Sequence, residues 1–188
     1  MPELFLDRLW PGLVAWTALY ISDYSLTIMC ARLYQAGANE KMAFEGSYEI
    51  TPYYQRDINA LRRLSPRFFG ALLLSLVWMS ALWWLAMQSL WPPIYALGLG
   101  GVILLELAVH MRHIRNLVLF RAMVGSDSIR GRIEYPRRLM LRNSSIEGLT
   151  FSGLFAVIFL FTGSWFVLGG VFTCLSLAGK HLRLARNV

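Results

Sequence analysis

FFGALLLSLVWMSALWWLAMQSLWPPIYALGLGGVILL, residues 68–105, is 38 residues without one charged side chain, interrupted only by Trp91-Pro92-Pro93. A helix that crosses a bilayer needs roughly 20 apolar residues. The stretch therefore reads as two membrane spans folded at the double proline, whose rings cannot continue a helix.

Working outward, residues 148–179 give 32 more uncharged positions. At about 1.5 Å per residue they exceed a hydrocarbon core of about 30 Å, so this span is expected to tilt, to protrude, or to break near Gly169-Gly170. The first span is apolar except for Asp23. The reading is an all-α integral membrane bundle of four transmembrane helices in one domain, residues 1–188. Its spans lie at about 11–34, 67–91, 94–122 and 147–178, and its two basic loops, 35–66 and 123–146, are expected to be cytoplasmic and to hold short interfacial helices.

Composition agrees. Of 188 residues, 56% are apolar or aromatic and 15% charged, with a mean hydropathy of +0.49. Soluble domains run near 45–50% apolar and about 25% charged, so a water-facing globule is excluded. So are a disordered chain and a disulfide scaffold, because Cys30 and Cys174 are the only cysteines and both lie in apolar runs. Glu3 and Asp7 precede Arg8, and no small-residue cleavage site follows a short apolar core, so the N-terminal segment does not read as a cleaved signal peptide.

The net charge of +7 is explained by where the basic residues fall. The loop after the first span carries six Lys or Arg and the loop after the third carries eight. Four remain: Arg8, Lys180, Arg183 and Arg186. The positive-inside rule places both long loops in the cytoplasm, as in a bacterial inner (plasma) membrane protein, and both termini outside. The three basic residues at the C-terminus argue instead for a broken last span with a cytoplasmic tail. Local signals support the boundaries: Ser65-Pro66 before the second span, Thr51-Pro52 before a surface helix at 53–64, and Ser144-Ser145-Ile146-Glu147 as a capping box before the fourth span.

Asp23 is the residue most in need of an explanation. A carboxylate inside a span costs several kcal/mol unless paired, hydrated or protonated. Tyr20, Thr27 and Cys30 flank it on one helical face. The third span ends with Glu106, His110 and His113 within an arc of about 60°, while Arg112 and Arg115 point to the far side. A carboxylate with two imidazoles at this spacing has the donor set of a metal site, although such spacing also arises in a solvated helix end. Counting inward from the basic boundary puts Asp23 and Glu106 at one depth. Asp23, Thr27, Glu106 and His110 are thus expected to form an intramembrane polar layer, with Glu106, His110 and His113 as candidate metal ligands.

Ala96-xxx-Gly100 and Gly170-xxx-Cys174-xxx-Ala178 are small-residue faces that let helices approach closely, within the bundle or against a second copy or partner subunit. Arg137, Arg138 and Arg142, interleaved with Leu139 and Met140, suit contact with anionic lipid headgroups. No nucleic-acid motif accompanies the basic charge, and nucleic acid is not an expected partner. No P-loop, Gly-x-Ser-x-Gly elbow, His-Glu-x-x-His or Cys-x-x-Cys is present, and the motifs leave the cofactor unknown. These features favour a non-enzymatic helix-packing subunit or scaffold. A small ion or proton pathway through Asp23 and Glu106, or a membrane metal protein or enzyme built on Glu106, His110 and His113, are the alternatives.

Overall fold

The computed structural model describes residues 8–88, 91–125 and 129–188. Glu3 and Asp7, used above to read the N-terminal segment, lie outside these residues, as do positions 89–90 before the double proline and 126–128 in the second loop. The described chain runs α1 (Leu9–Leu33), a π-helical turn (Tyr34–Ala38), a last helical turn (Asn39–Lys41), β1 (Met42–Phe44), α2 (Pro52–Asn59), α3 (Pro66–Gln88), α4 (Pro93–Gly125), β2 (Ile133–Tyr135), α5 (Arg137–Thr162) and α6 (Trp165–Arg186).

Among the described residues five helices, not four, are long and apolar enough to cross a membrane, which is compatible with a polytopic membrane protein. The first three match the expected spans closely. The expected fourth is two helices, because Thr162-Gly163-Ser164 stops one and starts the next. Gly163 closes α5 in the left-handed region at φ 59°, where a residue without Cβ has no steric cost, and Ser164 is extended ahead of α6. The break therefore lies at Gly163 and not at Gly169-Gly170.

The glycine pair serves packing instead. A Cβ on Gly169 would overlap the Leu97 carbonyl oxygen and come within 2.6 Å of the Gly101 nitrogen, and a Cβ on Gly100 would overlap the Phe166 carbonyl. The backbones of α4 and α6 touch along this seam, and Thr173 Oγ1 donates to the Gly101 carbonyl at 2.9 Å across it. On the other side of α6, Gly148 of α5 fits against Cys174 and Ala178. Ala96, Cys174 and Ala178 are buried. The small-residue faces of the third and last apolar runs are thus consumed inside the chain.

The α5–α6 turn lies beside the Trp-Pro-Pro turn, since the rings of Trp91 and Trp165 meet edge to face at 5.5 Å. It follows that α6 returns to the end of the bundle that holds the long loops, parallel to α1 and α4. Ser145 Oγ donates to the Ala178 carbonyl at 2.9 Å there. The second loop differs from expectation as well: its arginine-rich segment is continuous with α5. Ser144 is therefore interior to a helix and caps nothing, its hydroxyl being taken by Arg112 and His181.

The two long loops are tied to each other. β1 and β2 pair in parallel with Met42 opposite Ile133 and Phe44 opposite Tyr135, a contact the sequence does not announce. Phe44, Tyr34, Tyr48, Phe120 and Tyr135 stack beneath it, with ring centroids 5.3–6.3 Å apart. Farther along the first loop, Ser65 Oγ accepts from the Phe68 amide at 3.3 Å, capping α3, and donates to buried Asp57 at 2.6 Å. At the opposite end of the bundle Met79, Leu82, Ala86, Tyr95 and Leu99 form a second core, apolar but for the Tyr95 hydroxyl, which reaches the Leu9 carbonyl at 3.5 Å. The outer faces remain apolar too. Leu160 and Phe161 are 81% and 87% exposed, which suits lipid and not water.

Candidate acid and imidazole centre

Asp23 and Glu106 meet because α1 and α4 run in the same direction and both enter the basic end of the bundle at similar depth. One ligand atom from each of Asp23, Glu106 and His110 lies within 4.8 Å of the others. Glu106 is only 8% exposed, and its Oε1 has no hydrogen-bond partner. Asp23 Oδ1 lies 3.2 Å from His113 Nε2 yet is unaligned for a hydrogen bond, so it too is left without a donor. Two ionised carboxylates about 4 Å apart repel by about 4 kcal/mol at an effective dielectric near 20. Such a pair requires positive charge between them, a proton or a metal ion.

The imidazoles are held from behind. His110 Nδ1 is 2.8 Å from the Glu106 carbonyl, which can only accept, so Nδ1 carries a hydrogen and only Nε2 can serve as a ligand atom. That arrangement, backbone carbonyl to one nitrogen with the other left as ligand, is how metal-binding histidines are oriented. The neighbour of His110 Nε2 is Ser22 Oγ at 2.6 Å, whose single hydrogen is also claimed by the Leu19 carbonyl at 2.9 Å. Ser22 is a contributor that a helical wheel hides, since it sits about 100° from Asp23.

His113 takes a different place from the one its spacing suggests. It turns toward α1, with Nε2 3.3 Å from Thr27 Oγ1 and close to Asp23, so it positions Asp23 and stands beside the Asp23, Glu106 and His110 group. Thr27 Oγ1 also bonds the Asp23 carbonyl, and Cys30 Sγ reaches the His113 carbonyl at 3.5 Å. The face formed by Tyr20, Asp23, Thr27 and Cys30 is therefore the one that packs on α4.

Asp23 and Glu106, with His113 beside them, line a cavity of about 270 Å³ that runs toward the long loops, while His110 lies outside its lining. Along α1 its lining begins at Tyr20, and along α4 at Leu105; beyond these levels Trp16, Leu99 and Val102 belong to the packed core, where Trp16 Nε1 donates to Ser75 at 2.7 Å. Its roof is the first loop. Tyr20 and Tyr54 share a hydrogen bond at 2.8 Å, joining α1 to α2 across the cavity, and Tyr48 receives a weak one from Asn116 at 3.5 Å. Burial pushes the Tyr48 and Tyr54 phenols above their ordinary values, so both stay neutral hydroxyl groups.

Arg112, expected on the far side of the third span, lines this same cavity while donating to Ser144 at 2.6 Å. Arg115 does face away, paired with Glu147 at 2.5 Å. Arg138 and Arg142 are exposed at the start of α5, and the Arg137 amide donates to Glu45 at 2.8 Å, joining the two loops. No protein-family model, curated protein or solved structure matches this chain.

Proposed function

We propose that the chain is a polytopic membrane protein whose working part is a metal centre, in which Asp23, Glu106 and His110 hold a divalent first-row transition-metal ion. One observation carries this reading: three ligand atoms converge within 4.8 Å, and two of the contributing carboxylates have a buried oxygen without a donor. Two carboxylate oxygens and one imidazole suit Zn²⁺, Mn²⁺ or Fe²⁺, whereas a soft thiolate-preferring ion has no ligand here.

A proton or ion pathway across the bilayer fits less well. The cavity lining begins at Tyr20 on α1 and Leu105 on α4, and polar groups next beyond them are spent within the packing, Trp16 Nε1 donating to Ser75 at 2.7 Å and Thr173 to the Gly101 carbonyl at 2.9 Å. A helix-packing subunit also fits less well, because the small-residue faces are filled from within the chain and only the outer surfaces remain for a partner helix or second copy. Cobalt is the probe that tests the reading. Solubilised full-length protein should bind one equivalent of Co²⁺ with a saturable visible absorption band of an oxygen and nitrogen site, displaced by Zn²⁺. Absence of saturable binding would contradict it.

With five spans the termini lie on opposite faces, and 17 of the 18 Lys and Arg, all but Arg8, share the loop end. The positive-inside rule then puts the loops, the cavity mouth and the C-terminus in the cytoplasm, where Arg138 and Arg142 meet anionic headgroups. Cysteines introduced at exposed Ala36 and Asn187 should be shielded from an impermeant reagent in intact cells while one at Ser164 reacts. Labelling at Asn187 together with shielding at Ser164 would return the topology to four spans.

A further inference from the structure

The carboxylates occupy only part of the cavity lining. Arg112 of α4 and Lys180 and His181 of α6 make up another part. Arg112 Nη1 and His181 Nδ1 meet on one atom, Ser144 Oγ, at 2.6 and 2.8 Å. A guanidinium only donates, so the Ser144 hydroxyl accepts from Arg112 and keeps a hydrogen that His181 Nδ1 can accept. In that tautomer the His181 proton sits on Nε2 and the ring offers a donor. Lys180 makes no hydrogen bond or ion pair among the described residues, while the Arg112 charge is partly offset by Glu147 at 3.8 Å.

One cavity therefore has two chemically opposite poles: acceptors at Asp23 and Glu106, and donors with two positive charges at Arg112, Lys180 and His181; the third lining carboxylate, Glu49, accepts from the Thr51 amide at 2.7 Å. Glu106 and Arg112 are six residues apart on one helix, about 9 Å along its axis. An anion that bound only the donors would leave the metal ion short of ligands, since three protein groups leave open positions on a four- to six-coordinate ion.

We infer that the cavity binds a phosphate-bearing ligand, its oxygens bridging the metal ion and the Arg112, Lys180 and His181 donors. This deepens the metal-centre reading and rests on it. A tetrahedral phosphate presents oxygens in several directions, so it can satisfy a metal and a separate set of donors at once. A carboxylate puts both oxygens on one edge. The volume exceeds that of phosphate alone, and Ile50, Ile58 and Phe68 give the remainder an apolar surface for the ester portion. A soluble phosphomonoester and a lipid headgroup share this chemistry.

The test uses the full chain in detergent at cobalt saturation, titrated with glycerol 3-phosphate and, separately, inorganic phosphate, and read by the cobalt absorption band. Both probes should shift the band saturably. Lys180→Gln should weaken them about tenfold or more, as expected for one lost charge-assisted hydrogen bond, and Lys180→Arg should restore most of the affinity. The sources are separated in lipid nanodiscs without added phosphate. A band shift with phosphatidic acid but not with phosphatidylcholine supports a lipid headgroup, and a shift only with the soluble ester supports a free one. Cobalt binding that no phosphate probe perturbs, or equal titrations of wild type and Lys180→Gln, would overturn the inference. Failure of cobalt to bind at all would count against the metal centre itself.

Discussion

Glu106→Gln is expected to cost about 100-fold in cobalt affinity, near 3 kcal/mol, while leaving the metal-free protein at least as stable as wild type. The two effects have one cause. Glu106 sits within 4.8 Å of its partners Asp23 and His110, buried and with Oε1 unpartnered. An amide fills the same volume without the charge, so the metal loses an anionic ligand and the empty site loses its like-charge repulsion. Asp23→Asn should lose metal similarly but gain less stability, because it also gives up the contact with His113 at 3.2 Å. A purely structural layer behaves in the opposite way. There Glu106→Gln would be silent in metal binding and would lower the unfolding temperature in detergent.

Gly169→Ala is the substitution expected to damage the fold most for its size, by about 2–3 kcal/mol, the cost of forcing a methyl group into a closed contact. The atoms in the way are backbone, the Leu97 carbonyl and the Gly101 nitrogen, so no side chain can rotate aside. Relief requires α6 to withdraw from α4, which moves Lys180 and His181 while leaving the α1–α4 pair in place. Gly153→Ala is the matching control: it lies within α5 with nothing inside 4 Å, and alanine is the better helix former. Thermal unfolding of the two variants in detergent checks this. Equal midpoints would mean that the α4–α6 seam is looser than described.

Much of the fold is legible in the sequence because bilayer thickness translates directly into runs of uncharged residues. Charge-free stretches locate the helices to within a few positions wherever a proline or a cluster of arginines ends them. The failure at Gly163 has a physical reason. A glycine in an apolar run marks either a break or a close helix contact, and residues 163, 169 and 170 are alike until their neighbours are known. Excess length was the available signal, since 32 uncharged residues are too many for one crossing and suffice for a short hairpin together with the flanking turns.

The centre was partly legible for a similar reason. Depth can be counted from a charged boundary, so Asp23 and Glu106 fall at one level before any contact is seen. The roles of His113 and Arg112 depend on which helices lie against α4, and a wheel drawn for one helix has no such information. Ser144 and His181 were beyond reach because Ser144 resembles a cap, and its partners lie 32 and 37 positions away in the chain. The pairing of β1 with β2 involves three residues on each side and leaves no periodicity to read.

Zinc-edge X-ray absorption of the zinc-loaded, solubilised chain tests the metal centre most directly, because it reports ligand atoms and not occupancy alone. The account predicts oxygen and nitrogen ligands only, at about 2.0–2.2 Å, with the outer-shell scattering of one imidazole that disappears in His110→Gln. Sulfur scattering near 2.3 Å, or an imidazole signal that survives His110→Gln, would contradict it.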